Sequence, residues 1–172
     1  VIRINPDGSP ARDNPFYTAS QPTAPQGYLY SIGHRKLAGV TEVPASHPQL
    51  AGSMFSVEPG AYGSDEINMV QPGQDHGWRH VGGFCQGKEV GYVCPKATFG
   101  LVPSSVAFYN SNAIPEWKNN LLIGTISQYG GLITATVDGE GNVVNIDPAR
   151  PADDVLVIGE SRQFVFVSPR DV

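Results

Sequence analysis

The sequence predicts an all-β protein, and three observations carry that prediction. Short runs rich in β-branched and aromatic residues recur along the chain, turn signals separate them, and no stretch of helical length has the 3.6-residue apolar period. The 20 glycines and 15 prolines are spread out, so they read as turn punctuation and not as low complexity. The expected strands are residues 1–4, 28–32, 53–57, 67–70, 106–109, 121–125, 132–137, 143–146, 155–158 and 163–167. PDGS at 6–9 closes the first run. PG at 59–60 and PGQD at 72–75 flank the fourth. Residues 115–120, opening on a proline, predict a single helical turn. YGG at 129–131 precedes the run 132–137, and DGEGN at 138–142 joins that run to 143–146 as a hairpin. Repeated short strands with Gly-rich turns fit a sandwich, a barrel or a propeller, and periodicity does not choose among them.

Composition narrows the function classes. At 172 residues the chain is long enough for one domain with a real core. With 40% hydrophobic and 16% charged residues it is globular. The net charge of −5 comes without any basic cluster, which argues against a nucleic-acid partner. No apolar run approaches the roughly 18–20 residues that span a bilayer. No signal peptide is visible, and the opening VIRINPDG reads as a strand already under way. The two cysteines, Cys85 and Cys94, are close in a turn-rich chain. They predict a disulfide and an oxidising compartment, the alternative being two reduced thiols. Closing that ten-residue loop is worth about 2.7 kcal/mol on chain-entropy arithmetic.

Two runs stand out chemically: GHRKLAGV at 33–40 and EPGAYGSDEINMVQPGQDHGW at 58–78. The second packs acidic side chains, glycines and a closing tryptophan between strand-like segments. Such a loop can expose backbone oxygens to a cation and line a pocket. Its ordinary reading is a turn in which Asp65 and Glu66 cap backbone amides. Among the other candidates, His34 reads as a structural hydrogen-bonder. His76, His80 and Cys85 resemble a zinc cluster only loosely. Ser104 and Ser105 lack a nucleophile elbow. Trp78 and Trp117 read as packing residues.

In order and spacing, these runs resemble the glucose/sorbosone dehydrogenase family, soluble quinoprotein sugar dehydrogenases built as a six-bladed β-propeller. The family reads roughly GHRNPQGL, then EHGPxGGDEIN, then GxNYGWP. Here the matching residues are Gly33-His34-Arg35-Lys36, Glu58-Pro59-Gly60 through Asp65-Glu66-Ile67-Asn68, and Gly73 to Trp78. VIRINPDGSPARDNPF, the paired cysteines, Pro103-Ser104-Ser105 and the stretch from Trp117 to Leu122 extend the likeness over nearly the whole chain. At roughly 40–50 residues per blade, the chain would supply three and a half to four blades of six. The resemblance therefore implies the later half of a domain, completed by the remaining blades or by another chain.

The resemblance also implies a chemistry: pyrroloquinoline quinone (PQQ) and Ca²⁺ in a central pocket, with oxidation of an aldose at C1. Carbonyls of Gly60 and Ala61 would face the calcium at the quinone. Asp65 and Glu66 match an acidic pair that holds a second calcium in some members. Arg35, Lys36, Tyr92 and Arg162 match cofactor contacts. Lys36 stands where the family has Asn, and His76 where it has Tyr. Pro95 replaces an aromatic platform, Ser127 falls near a lysine position, and Glu160 falls on one of two arginines. The family's base histidine lies upstream of the matched region, so no catalytic residue is assigned in this chain. A secreted or periplasmic location follows from the same likeness. The altered contacts leave an alternative: a non-catalytic extracellular propeller used for binding or structure, or a subunit of an electron-transfer assembly.

Overall fold

The computed structural model describes residues 1–81, 83, 85, 91–126 and 131–148. The expected strands at 155–158 and 163–167, and with them Glu160, Arg162 and Ser127, lie outside the described residues. The fold is all-β. Two four-stranded antiparallel sheets form, each in simple sequence order. The first holds β1 (Gly39–Glu42), β2 (Met54–Glu58), β3 (Asp65–Val70) and β4 (Ala97–Phe99). The second holds β5 (Pro103–Tyr109), β6 (Asn120–Thr125), β7 (Leu132–Val137) and β8 (Val143–Pro148). Helical structure among the described residues is limited to 3-10 turns at Pro25–Tyr28, Ala61–Gly63 and Pro115–Trp117. The last of these is the predicted helical turn.

The central strands are buried on both faces. Every residue of β6 is buried, as are Phe55 to Glu58 of β2. Val43, Leu50, Phe55, Val57 and Ile67 meet Leu121, Ile123, Ile133 and Ala135 in one core between the sheets. Each Val, Leu, Ile or Phe side chain among them contributes about 1.5–3 kcal/mol by leaving water. Specific contacts fix the approach of the sheets. Gly39 of β1 lies so near β5 that a Cβ there would sit 2.8 Å from the Val106 amide nitrogen. The Phe108 amide of β5 donates to Thr41 Oγ1 of β1 at 3.0 Å, and Lys96 Nζ donates to Asn142 Oδ1 at 2.9 Å. The DGEGN segment is the predicted hairpin turn. Asp138 Oδ1 accepts from the Glu140 and Asn142 amides, both at 2.9 Å, and β7 pairs antiparallel with β8.

The outcome differs from the sequence reading at both ends of the first sheet. β1 and β4 were not predicted: β1 is four residues with Gly39 inside it and Pro44 just beyond, and β4 is three residues long. Such short pieces carry no period. Conversely, residues 1–4 and 28–32 form only isolated bridges, Ile2 with Leu29, Ile4 with Pro10 and Ile32 with Asp75. The segment between them carries Pro6, Pro10, Pro15, Pro22 and Pro25, and proline lacks the donor a ladder needs. The described residues thus build two four-stranded units.

Candidate functional site

The cleft forms where three loops meet at one end of the first sheet. The Ile32–Asp75 bridge is parallel, and it locks residues 33–36 against residues 75–78. His76 N donates to Ile32 O at 2.9 Å, and Trp78 N to Gly33 O at 2.8 Å. Asp75 Oδ1 accepts from Gly77 N at 2.8 Å, closing its own turn. The β2–β3 connection supplies the opposite wall. Arg35, Glu58, Gly60, Glu66, His76 and Trp78 are among the residues that line the cleft.

Glu58 organises the interior. It is 1% exposed, and its carboxylate accepts from four groups. These are His34 Nδ1 at 2.6 Å, the Arg35 amide at 2.9 Å, Asn68 Nδ2 at 3.1 Å and Ser56 Oγ at 3.4 Å. His34 Nε2 meets Ser31 Oγ at 2.8 Å. Burial alone would raise the Glu58 pKa, but the hydrogen bonds and charge of His34 and the Arg35 amide outweigh it and hold the carboxyl below its ordinary range. Glu66 goes the other way. Burial, reinforced by the nearby Glu58 charge, raises its pKa despite bonds from Asn68 Nδ2 and the Gly83 amide.

The structure places the sequence-predicted residues as follows. Arg35 sits at the rim. Its Nη1 donates to Pro59 O at 2.8 Å, and its guanidinium lies 5.0 Å from the centre of the Trp78 ring, a cation–π contact. Gly60 and Ala61 both line the cleft. A Cβ on Gly60 would fall 1.7 Å from Ser64 O, so the loop is closed too tightly for any side chain there. Asp65 is 1% exposed and turned away to fasten the loop: Oδ1 accepts from Gly60 N at 2.9 Å and Oδ2 from Val102 N at 2.7 Å. This is the amide-capping role that a turn would give it. Lys36 is exposed and outside the cleft lining. Tyr92 stacks on His80 at 5.7 Å, behind the 75–78 turn.

Because both Asp65 oxygens hold backbone amides, Asp65→Ala is expected to cost about 2–4 kcal/mol, two charge-assisted bonds at roughly 1.5–3 kcal/mol each less relaxation. Urea unfolding with and without added Ca²⁺ checks it. A loss that appears only in the presence of calcium would instead make Asp65 a ligand.

Sequence reasoning missed Glu58, His76 and Trp78 as cleft residues. Trp78 was read as packing, but it faces the cleft under Arg35, and only Trp117 packs as expected, edge-on to Tyr109 at 6.0 Å. A signal for Glu58 did exist: a carboxylate at the end of an apolar strand has to find buried partners.

Consecutive four-stranded antiparallel sheets, packed face to face with a cleft at the loops of one end, define the blade-type architecture of propeller proteins. The sequence profile of the Glucose / Sorbosone dehydrogenase family matches residues 1–153. The chain belongs to that family. It is 30% identical over 198 aligned positions to the aldose sugar dehydrogenase YliI of Escherichia coli, covering 99% of this chain and 51% of that protein. It is 32% identical over 84 positions to quinoprotein glucose dehydrogenase B of Acinetobacter calcoaceticus, covering 49% and 15% respectively. The solved soluble aldose sugar dehydrogenase of Escherichia coli, in its apo form, superposes with a TM-score of 0.64 at 27% identity, covering 81% of this chain and 42% of that one. The chain thus spans about half the length of the Escherichia coli relative.

The residues present fit the family's groups in chemical kind. Glu66 is a partly desolvated carboxylate with no cation paired to it among the described residues. The backbone oxygens at Gly60 and Ala61 and, separately, the Glu66 carboxylate are hard oxygen donors of the kind calcium takes. Arg35 and Trp78 offer a guanidinium and a flat wall to an aromatic polycarboxylate.

Proposed function

We propose that the chain is the later part of a six-bladed, PQQ- and Ca²⁺-dependent aldose sugar dehydrogenase that acts at C1. The observation that carries this reading is Arg35, pinned over Trp78 beside the Gly60–Ala61–Glu66 wall. When bound, the quinone accepts the two electrons taken from the sugar. The chain's own part is to hold and exclude. Arg35 neutralises and orients a carboxylate of the cofactor through a charge-assisted bond. The carbonyls of Gly60 and Ala61 hold the calcium at the quinone, and Asp65 and Glu66 belong to the second calcium that the family pattern implies. Lys36, Tyr92 and Arg162 remain further candidate contacts to the cofactor, and the base comes from the remaining blades. A secreted or periplasmic site of action agrees with the disulfide between Cys85 and Cys94, whose Cα atoms are 5.3 Å apart.

The second reading, a non-catalytic propeller, is favoured by Lys36, which stands exposed outside the cleft where the family has Asn. One experiment separates the two. The full-length gene product is reconstituted with PQQ and CaCl2, and D-glucose-dependent dye reduction is measured alongside spectroscopic quinone titration. The enzyme reading expects quinone binding and turnover, both lowered at least tenfold in Arg35→Ala. Absence of both quinone binding and turnover leaves the non-catalytic module.

A further inference from the structure

His76 is the polar group in the cleft that the reading above leaves unused. It is 5% exposed and lines the cleft, yet neither ring nitrogen has a hydrogen-bond partner among the described residues. That is unusual, because buried polar side-chain atoms are nearly always paired. Other polar groups of the cleft are largely engaged, although the buried Asn68 Oδ1 beside Glu58 also lacks a partner among the described residues. His34 is engaged at both nitrogens, and Glu58 accepts four bonds. Asp75 Oδ1 is committed to Gly77 N. The His76 backbone is fixed by its bond to Ile32 O at 2.9 Å, and one face of its ring rests on His34, with centroids 4.3 Å apart. The imidazole is therefore held in place with its hydrogen-bonding capacity unspent.

Its surroundings say what it can take. Burial first, and then the neighbouring His34, push its pKa down to about 4. At neutral pH it thus offers one N–H donor and one acceptor. An ammonium group cannot use the donor, and a carboxylate or phosphate cannot use the acceptor. An anionic group finds its partner in Arg35, the guanidinium that lines the same cleft, and gains nothing from the His76 acceptor. A hydroxyl group both donates and accepts and carries no charge. We infer that His76 is a ligand-contacting, specificity-determining residue of the cleft, binding hydroxyl groups of a neutral polyhydroxyl ligand of the aldose class. This rests on the sugar reading of the cleft. It adds the residue that would select hydroxyls there, at a position where the family pattern has Tyr.

The test uses the full-length gene product with D-glucose as the probe. Histidine ring ¹⁵N resonances are followed during titration, and binding is measured calorimetrically for wild type, His76→Phe and His76→Gln. The His76 nitrogens are expected to shift with sugar. Those of His47, which is bonded within its own turn to the Leu50 amide, stay still. H76F is expected to weaken binding roughly tenfold or more, and H76Q, which keeps a donor and an acceptor, to recover most of it. Circular dichroism checks that both variants fold, and the wild-type resonances need no variant at all. Sugar binding that leaves the His76 nitrogens unmoved, or that survives unchanged in H76F, overturns the role of His76 and leaves the sugar reading intact. No D-glucose binding by the wild type overturns the sugar reading, and the His76 role with it.

Discussion

Glu58→Ala lowers the stability of the protein by about 3–5 kcal/mol, because a buried donor left without its partner costs roughly 1–3 kcal/mol and Glu58 serves several. The side chains of Glu58 and His34 are 2% and 7% exposed. Removing the carboxylate strands the His34 ring N–H and the Arg35 amide, while Asn68 Nδ2 keeps only its bond to Glu66. The pH dependence follows from the sign of the Glu58 shift. Its folded pKa lies below the ordinary value of 4.5, so it stabilises the fold above that value. That contribution is lost as pH falls through the folded pKa. Chemical unfolding at pH 7 and along an acid series measures both effects. A loss below about 1 kcal/mol at pH 7 would mean that water reaches these donors and that the cluster is not a structural keystone.

Gly33→Ala is expected to cost roughly 2–5 kcal/mol and to disturb the cleft directly. Gly33 has φ +74°, a region that disfavours a Cβ by about 1–2 kcal/mol. The added carbon would also fall 1.9 Å from Asp75 Oδ1, 2.5 Å from Gly77 N and 2.8 Å from His76 N. The obstacle is mostly backbone, so the 75–78 turn has to move, and overpacking of this kind adds about 1–3 kcal/mol. The same shift displaces His76 and Trp78. Thermal unfolding and the histidine resonances of the variant check the two parts separately. Wild-type stability together with an unshifted His76 signal would refute the close approach.

The strands that the sequence made legible are those whose burial is written into consecutive residues. β2, β3, β6 and β7 carry apolar residues in the short β-rich runs that mark them, and the DGEGN turn carries its own Asx chemistry. β1 and β4 were illegible because three or four residues hold no period. Their pairing depends on neighbours far along the chain. In the cleft, Arg35, Gly60, Ala61 and Glu66 could be proposed from motif order. The partnership of Glu58 with His34 could not, since it joins residues 24 positions apart. His76 was hidden for a different reason. A histidine in a turn is ordinary in sequence, and only the packed surroundings reveal that its nitrogens are left over.

The contact between Arg35 and Trp78 also makes the cleft optically self-reporting. The chain has two tryptophans, and Trp117 lies on the second sheet's connection against Tyr109, away from the cleft. Trp78 instead shares its ring face with the one guanidinium that lines the cleft among the described residues, and it is 37% exposed. An anion that draws Arg35 toward itself changes the electric field on the indole, and a planar molecule that slides over the ring changes its solvation. Within this chain, occupancy of the cleft is therefore registered in the fluorescence of Trp78, without any label being attached.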